Sequence, residues 1–174
     1  MIESLSSPDE VRGWLAGRLP SDWFADAPEV VIDREEITVL GRLAPPETAG
    51  SSEAEVAAAA AGRIREFRER TREQRMAIAR ELQGLSGRSV AWAARVGDRT
   101  ERFTHLAVPV MTRLRQPERQ VLDTLVEAGV ARSRADALAW CVRLVGRNTE
   151  TWLADLREAM THVERVRAEG PPTG

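Results

Sequence analysis

Met111, Arg113 and Arg115 are the side chains whose types and spacing best suit recognition of a polar surface. In an extended strand alternate residues share a face, so these three would point the same way, together with Pro109. A guanidinium donates two parallel hydrogen bonds to a phosphate or a guanine edge, and methionine adds a flexible apolar contact. The opposite face would suit packing on helices: Leu106, Val108, Val110, Thr112 and Leu114.

Arg132, Ser133 and Arg134 form a second group of possible anion contacts, because a helix is predicted to begin there. Gly129 is the expected stop of the preceding helix. Ser133 can cap the next helix, and Asp136 stands three residues later, as in a capping box. Backbone N–H groups and the helix dipole at such a terminus bind phosphate.

The predicted strand and helices cannot bury their apolar surface within one copy of the chain. A lone strand leaves its backbone donors and acceptors without partners. The helix that begins at Ser133 is apolar around much of its girth, so it must be buried on more than one side. Its apolar residues are Ala135, Ala137, Leu138, Trp140, Cys141, Val142, Leu144 and Val145. A second copy is the simplest partner, which predicts a homodimer or a higher oligomer.

Together these residues resemble the ribbon-helix-helix family of DNA-binding proteins, which includes the Arc and MetJ repressors. The resemblance lies between Val110 and Val145 and rests on Thr112-Arg113-Leu114, Leu122, Leu125, Gly129, Ser133-Arg134 and Ala137-Leu138. It implies that strands from two chains pair antiparallel and enter the DNA major groove. Met111, Arg113 and either Arg115 or Pro109 would then face base edges, while residues 132–134 would contact phosphates.

The chain departs from that family at both ends. The family's strand usually lies near the N-terminus, whereas about 105 residues precede it here. Those residues predict an opening helix over 6–18, a hairpin over 29–43 and a loop over 44–53. A long helix from about Glu53 to Leu85 follows. Residues 89–108 fit either a second hairpin turning at Gly97-Asp98, which we favour, or a helix-turn-helix.

A further amphipathic helix is expected from Asn148 onward. Its apolar stripe comprises Trp152, Leu156, Ala159, Met160, Val163 and Val166. It would pack on its own dimer or offer a surface to a second dimer or another protein.

The predicted fold class is therefore α+β. An N-terminal α/β domain with a long helix (1–105) would serve sensing or oligomerisation. A ribbon-helix-helix dimerisation domain (106–147), an extra C-terminal helix (148–169) and a disordered tail (170–174) would follow.

Charge is divided along the chain, although its net value is only −2. All 25 basic residues are arginine. Residues 1–62 hold 4 arginines against 12 acids, and residues 99–147 hold 9 against 5. The acidic N-terminal part would stay off DNA, while local positive charge in the C-terminal part would favour phosphate contact.

These features predict a bacterial, sequence-specific DNA-binding regulator, a repressor acting as a homodimer on double-stranded DNA. The alternative is an antitoxin-like protein that neutralises a partner toxin and regulates its own operon. Such a protein partner would bind the N-terminal domain or the C-terminal helix. An enzyme is not expected, because neither His105 nor His162 stands in a metal-ligand or triad arrangement. No metal, cofactor or membrane contact is predicted, and the expected location is cytoplasmic.

Overall fold

The computed structural model describes residues 4–47 and 52–170. The chain divides into two units, Met1–Pro109 and Val110–Gly174, and each is described by itself. The predicted loop over 44–53 falls partly, and the predicted disordered tail over 170–174 almost wholly, outside the described residues. Both units contain helices, and the N-terminal unit contains a sheet, so the protein has mixed α and β structure.

The N-terminal unit begins with two elements whose ends are set by local hydrogen bonds. Helix α1 (Pro8–Arg18) has a capping box, in which Ser7 and Glu10 each accept from the other's backbone N–H. Strands β1 (Glu29–Ile32) and β2 (Glu36–Arg42) form the first hairpin. Its turn lacks the favoured Asn-Gly pair, but Asp33 Oδ1 accepts from the backbone N–H of Glu35 and of Glu36, at 2.8 and 2.6 Å. These bonds hold the pKa of Asp33 below its usual value.

Helices α2 (Glu53–Arg70) and α3 (Arg72–Ser86) follow in place of the single long helix expected from the sequence. The prediction was wrong at Thr71, which lies between them and whose Oγ1 accepts from Arg75 Nε at 2.9 Å. Thr71 Oγ1 also donates to the carbonyl oxygen of Phe67, and such back-bonding bends helices. Gly87 ends α3 in the left-handed conformation, at φ 71°.

Strands β3 (Ser89–Val96) and β4 (Arg99–Arg102) complete an antiparallel–parallel–antiparallel sheet in the order β1-β2-β3-β4. The two central strands, β2 and β3, run parallel, with Val39 beside Trp92. The β3–β4 hairpin turns at Gly97, which has φ 55°. Residues 89–102 thus form the favoured hairpin and not a helix-turn-helix.

The N-terminal unit closes around one aromatic cluster. Trp23 lies at its centre, with ring centroids 5.6 Å from Phe67 and 5.9 Å from Trp92. Phe103, just beyond β4, packs against the same core. The guanidinium of Arg75 makes a cation–π contact with the Phe103 ring, with its Cζ 4.7 Å from the ring centroid.

The C-terminal unit contains three helices. Helix α4 (Gln116–Glu127) has Pro117 as its second residue. Gly129 follows its end at φ 72°, as expected, and the Val130 N–H bonds back to the Leu125 carbonyl at 3.0 Å. Helix α5 (Arg134–Asn148) starts after Ser133, and helix α6 (Glu150–Glu169) follows after Thr149.

Replacing Gly41 with alanine should destabilise the N-terminal unit. A Cβ at this position would lie 1.9 Å from Cε1 of Phe24, so the ring would have to move away from the sheet. Overpacking of this kind costs about 1–3 kcal/mol in the free energy of unfolding, measurable by urea denaturation. Gly62→Ala is the control, because Gly62 lies within α2 with open space around it and alanine should stabilise the helix. Equal stability of the two variants would contradict this packing.

Candidate nucleic-acid interface

The segment that carries the predicted base contacts, residues 104–115, is neither helix nor strand. The sequence predicts a strand here, but no strand of the described chain lies beside it. Within the described residues, no backbone–backbone hydrogen bond involves residues 104–114. A strand needs a neighbour for its ladder, and one copy of the chain supplies none here.

The side chains of this segment are exposed. Met111 is 97% exposed and Val110 is 86% exposed. Arg113 and Arg115 are also exposed, and neither forms an ion pair or a side-chain hydrogen bond within residues 4–47 and 52–170. The structure therefore leaves both guanidinium groups available, but it does not fix which way they point on a strand.

Leu114 anchors the C-terminal end of the segment to the helices. Its side chain packs against the small core formed by Leu122, Ala131 and Ala137. Its carbonyl oxygen accepts from Arg119 Nη1 at 2.8 Å. This matches the expectation that Leu114 faces the helices, and Arg113 and Arg115 lie on either side of it in sequence.

The start of α5 is organised by two acceptors. Ser133 Oγ accepts from the Asp136 N–H at 3.2 Å, as the cap prediction requires. The Asp136 carboxylate reaches back one residue beyond the cap and accepts from the Arg132 N–H at 3.0 Å. This hydrogen bond is the main reason that the pKa of Asp136 lies below its usual value. A carboxylate therefore already contacts this terminus, where a phosphate was expected.

Arg134 has a role that its position in the sequence does not indicate. Its Nε and Nη2 donate to the two carboxylate oxygens of Asp123, at 2.6 and 2.7 Å. This two-pronged contact joins α4 to α5, lowers the pKa of Asp123 and raises that of Arg134. Arg134 was expected to contact phosphate, but its guanidinium is mostly engaged within the unit. Asp123 and Arg134 are eleven residues apart across a turn, so no short-range sequence pattern predicted their pairing.

The C-terminal unit buries very little apolar surface. Its buried hydrophobic residues are Leu122, Ala131 and Ala137, among the residues that the structure describes. Large apolar side chains on all three helices remain between 43 and 65% exposed: Val121, Val142, Val145, Trp152, Leu156, Met160, Val163 and Val166. These apolar side chains on α4, α5 and α6 are thus open to solvent within the described residues.

Other kinds of site are not apparent in the described chain. Residues 4–47 and 52–170 contain no group of three or more histidine, cysteine, aspartate or glutamate side chains placed to hold a metal ion. In the same residues, no helix combines the length and apolarity needed to cross a bilayer.

Acid should weaken the α4–α5 pairing. The folded pKa of Asp123 is depressed by Arg134, so its stabilising effect is present above the ordinary aspartate pKa of about 3.9 and is lost as pH falls through the folded value. Asp123→Asn should therefore lower the thermal midpoint at pH 7 and reduce its fall on acidification, followed by circular dichroism. The matched control is Glu127→Gln, since Glu127 is exposed on α4 and makes no ion pair within the described residues. The same acid sensitivity in Asp123→Asn and the unaltered chain would contradict this pairing.

Comparison with known proteins supplies the family. The Rv1265-like protein N-terminal domain matches residues 9–102, and the Mb1296 C-terminal domain matches residues 115–167. The predicted ribbon thus falls between the two matches. No protein of solved structure matches the chain.

Relatives in two mycobacterial species are closely similar. The uncharacterized protein Mb1296 of Mycobacterium bovis and the uncharacterized protein Rv1265 of Mycobacterium tuberculosis are each 61% identical to this chain over 158 residues. The alignments cover 91% of this chain and 69% of each relative. The names of these relatives and families state no activity and do not mention a ribbon-helix-helix. The chain belongs to the Rv1265-like family, with its N-terminal domain followed by the Mb1296-type C-terminal domain.

Proposed function

We propose that the protein is a DNA-binding regulator, a repressor that acts as a homodimer through a ribbon-helix-helix arrangement of its C-terminal unit. In this arrangement residues 106–115 of two chains pair as an antiparallel ribbon. The helices α4 and α5 of both chains pack beneath it, and the ribbon enters the major groove of double-stranded DNA.

The observation that carries the proposal is an unpaired segment of strand length directly before two helices with open apolar faces. Pairing with a second copy would satisfy the free backbone groups of residues 105–113 and cover Val121, Val142 and Val145 in one step. Leu114 packs against the helices with exposed Arg113 and Arg115 on either side, as the predicted alternation requires at these three positions. Val110 and Thr112, on the predicted inward face, are exposed in one copy, and the proposed pairing would have to bury them. In the described chain no strand is paired with this segment.

In the proposed complex Arg113 and Met111 read base edges. Two parallel hydrogen bonds from Arg113 to one guanine would contribute about 1–3 kcal/mol of discrimination between bases. Met111 would contact a thymine methyl group, and Arg115 would hold a base or the neighbouring backbone. All three side chains are exposed and free of ion pairs in the described residues, so DNA would displace only water from them.

Phosphate contact would come from Arg132 and the backbone at Ser133, with Arg134 in a supporting role. The side chain of Arg132 is 94% exposed, and its 3.5 Å ion pair with Asp136 is long and open to solvent. Arg134 would position the start of α5 through Asp123 rather than bind DNA with its full guanidinium. The N-terminal unit, with its excess of acidic residues, would lie away from the phosphates and serve sensing or assembly.

Arg113→Ala should abolish selection of a specific DNA sequence while leaving the oligomeric state unchanged. The experiment is selection of bound fragments from random DNA at two salt concentrations, with mass measurement by light scattering. The affinity that comes from phosphate attraction falls steeply as salt rises, whereas the preference for a specific sequence is retained at higher salt. Arg143→Ala is the matched control, because Arg143 is an exposed arginine on α5 and is not among the ribbon residues 106–115.

Two outcomes would contradict the proposal. One is that the unaltered chain selects no sequence at either salt concentration. The other is that Arg113→Ala and Arg143→Ala bind the selected sequence equally well. A toxin-like protein that co-purifies in stoichiometric amount would favour the antitoxin alternative instead.

A further inference from the structure

Helix α6 has an apolar face that nothing in the described chain covers. The helix has 20 residues, and none of them is buried. Trp152, Leu156, Met160, Val163 and Val166 are all between 43 and 59% exposed. Most of the stability of a helix in a protein comes from packing of its amphipathic face. This face would be stabilised by packing against a partner, and the spacing of its residues indicates what kind of partner fits.

The apolar residues follow the alternating three- and four-residue steps of a coiled coil. Leu153, Leu156, Met160 and Val163 occupy the two seam positions of successive heptads, and Leu153 is the half-buried one of the four. Trp152, Ala159 and Val166 stand seven residues apart beside that seam. Such a narrow seam favours another helix as partner over a flat surface or a membrane.

We propose that α6 binds α6 of a second copy of this chain in an antiparallel pair whose two-fold axis passes Glu158. This pairing goes beyond the proposed DNA binding and does not require it. It places Leu156 opposite the partner's Met160 and Leu153 opposite the partner's Val163. The layers formed by these four seam residues are then all apolar.

The flanking residues fit the same register. Ala159 meets its own copy near the axis, where a small side chain lets the helices approach closely, and Trp152 lies toward Val166 of the partner subunit. Arg157 comes within reach of the partner subunit's Glu164, and the ion pair occurs twice by symmetry. In the described chain Arg157 and Glu164 make no ion pair of their own, so both are free to form it. This charge complementarity selects a second copy over an unrelated apolar helix.

Distances between spin labels test both the pairing and its direction. Thr151, Glu158 and Arg165 are exposed, lie seven residues apart and point away from the seam, so a cysteine label at any of them leaves the contacts intact. The full chain is used in a Cys141→Ser background, since Cys141 is the only native cysteine. Antiparallel pairing predicts the shortest interchain distance at position 158, with about 20 Å more axial separation at both 151 and 165.

The test variant carries both Leu156→Ala and Met160→Ala, and the control variant carries Thr161→Ala alone. Alanine preserves the helix, so the double variant should lose the short distance at position 158 by losing the seam, while Thr161→Ala, on the outer face, should keep it. Equal distances at all three positions would mean parallel pairing and overturn the proposal. So would a short distance that survives the double variant.

The result is separable from that of the DNA experiment. Arg113→Ala, expected to lose sequence selection, should retain the distance pattern of α6. Absence of the pattern in a chain that still selects a DNA sequence would remove the α6 proposal and leave the proposed function standing.

Discussion

Burial of apolar surface is the constraint on which the C-terminal unit depends. The N-terminal unit has a closed core of helices and sheet around Trp23 and Phe67. The C-terminal unit buries Leu122, Ala131 and Ala137 and leaves apolar faces open on α4, α5 and α6. Hydrophobic burial is the dominant favourable contribution to folding, so in the proposed assembly this unit would gain much of its stability from association. Homodimerisation and pairing of α6 are two proposed ways of meeting the same need.

Polar contacts inside the C-terminal unit then set its geometry and add a smaller share of its stability. The Asp123–Arg134 contact fixes the angle between α4 and α5, and Ser133 fixes where α5 starts. The Asp123–Arg134 pair is exposed, and exposed ion pairs contribute little net free energy. Arg75 shows the opposite situation in the N-terminal unit. Its burial lowers the pKa of its guanidinium to about 10, and Thr71 and Phe103 partner it where a carboxylate would usually stand.

Much of the local structure could be predicted from the sequence because its signals are local. Helix caps at Ser7 and Ser133, the stop at Gly129 and the hairpin at Gly97 each depend on residues within one turn. The break at Thr71 could not, because alternating charges and good helix formers continue through it. Its back-bond to the Phe67 carbonyl is one that any helical threonine can form, so the sequence does not single this position out. For the candidate site, Arg113 and Arg115 are exposed and without ion pairs in the described residues, and their contact with DNA stays a prediction. The engagement of Arg134 by Asp123 depends on how two helices cross, which no short-range pattern encodes.

Because the C-terminal unit has open apolar faces, the number of copies in a cell would affect how much of this protein is assembled. Where folding and association are coupled, each tenfold dilution removes about 1.4 kcal/mol from the stability of a dimer at 25 °C. A cell holding few copies would carry mostly separate chains with their segment 104–115 open to proteases. A cell holding many would carry assembled and protected ones. Synthesis and degradation rates would then set the assembled fraction without any small-molecule signal.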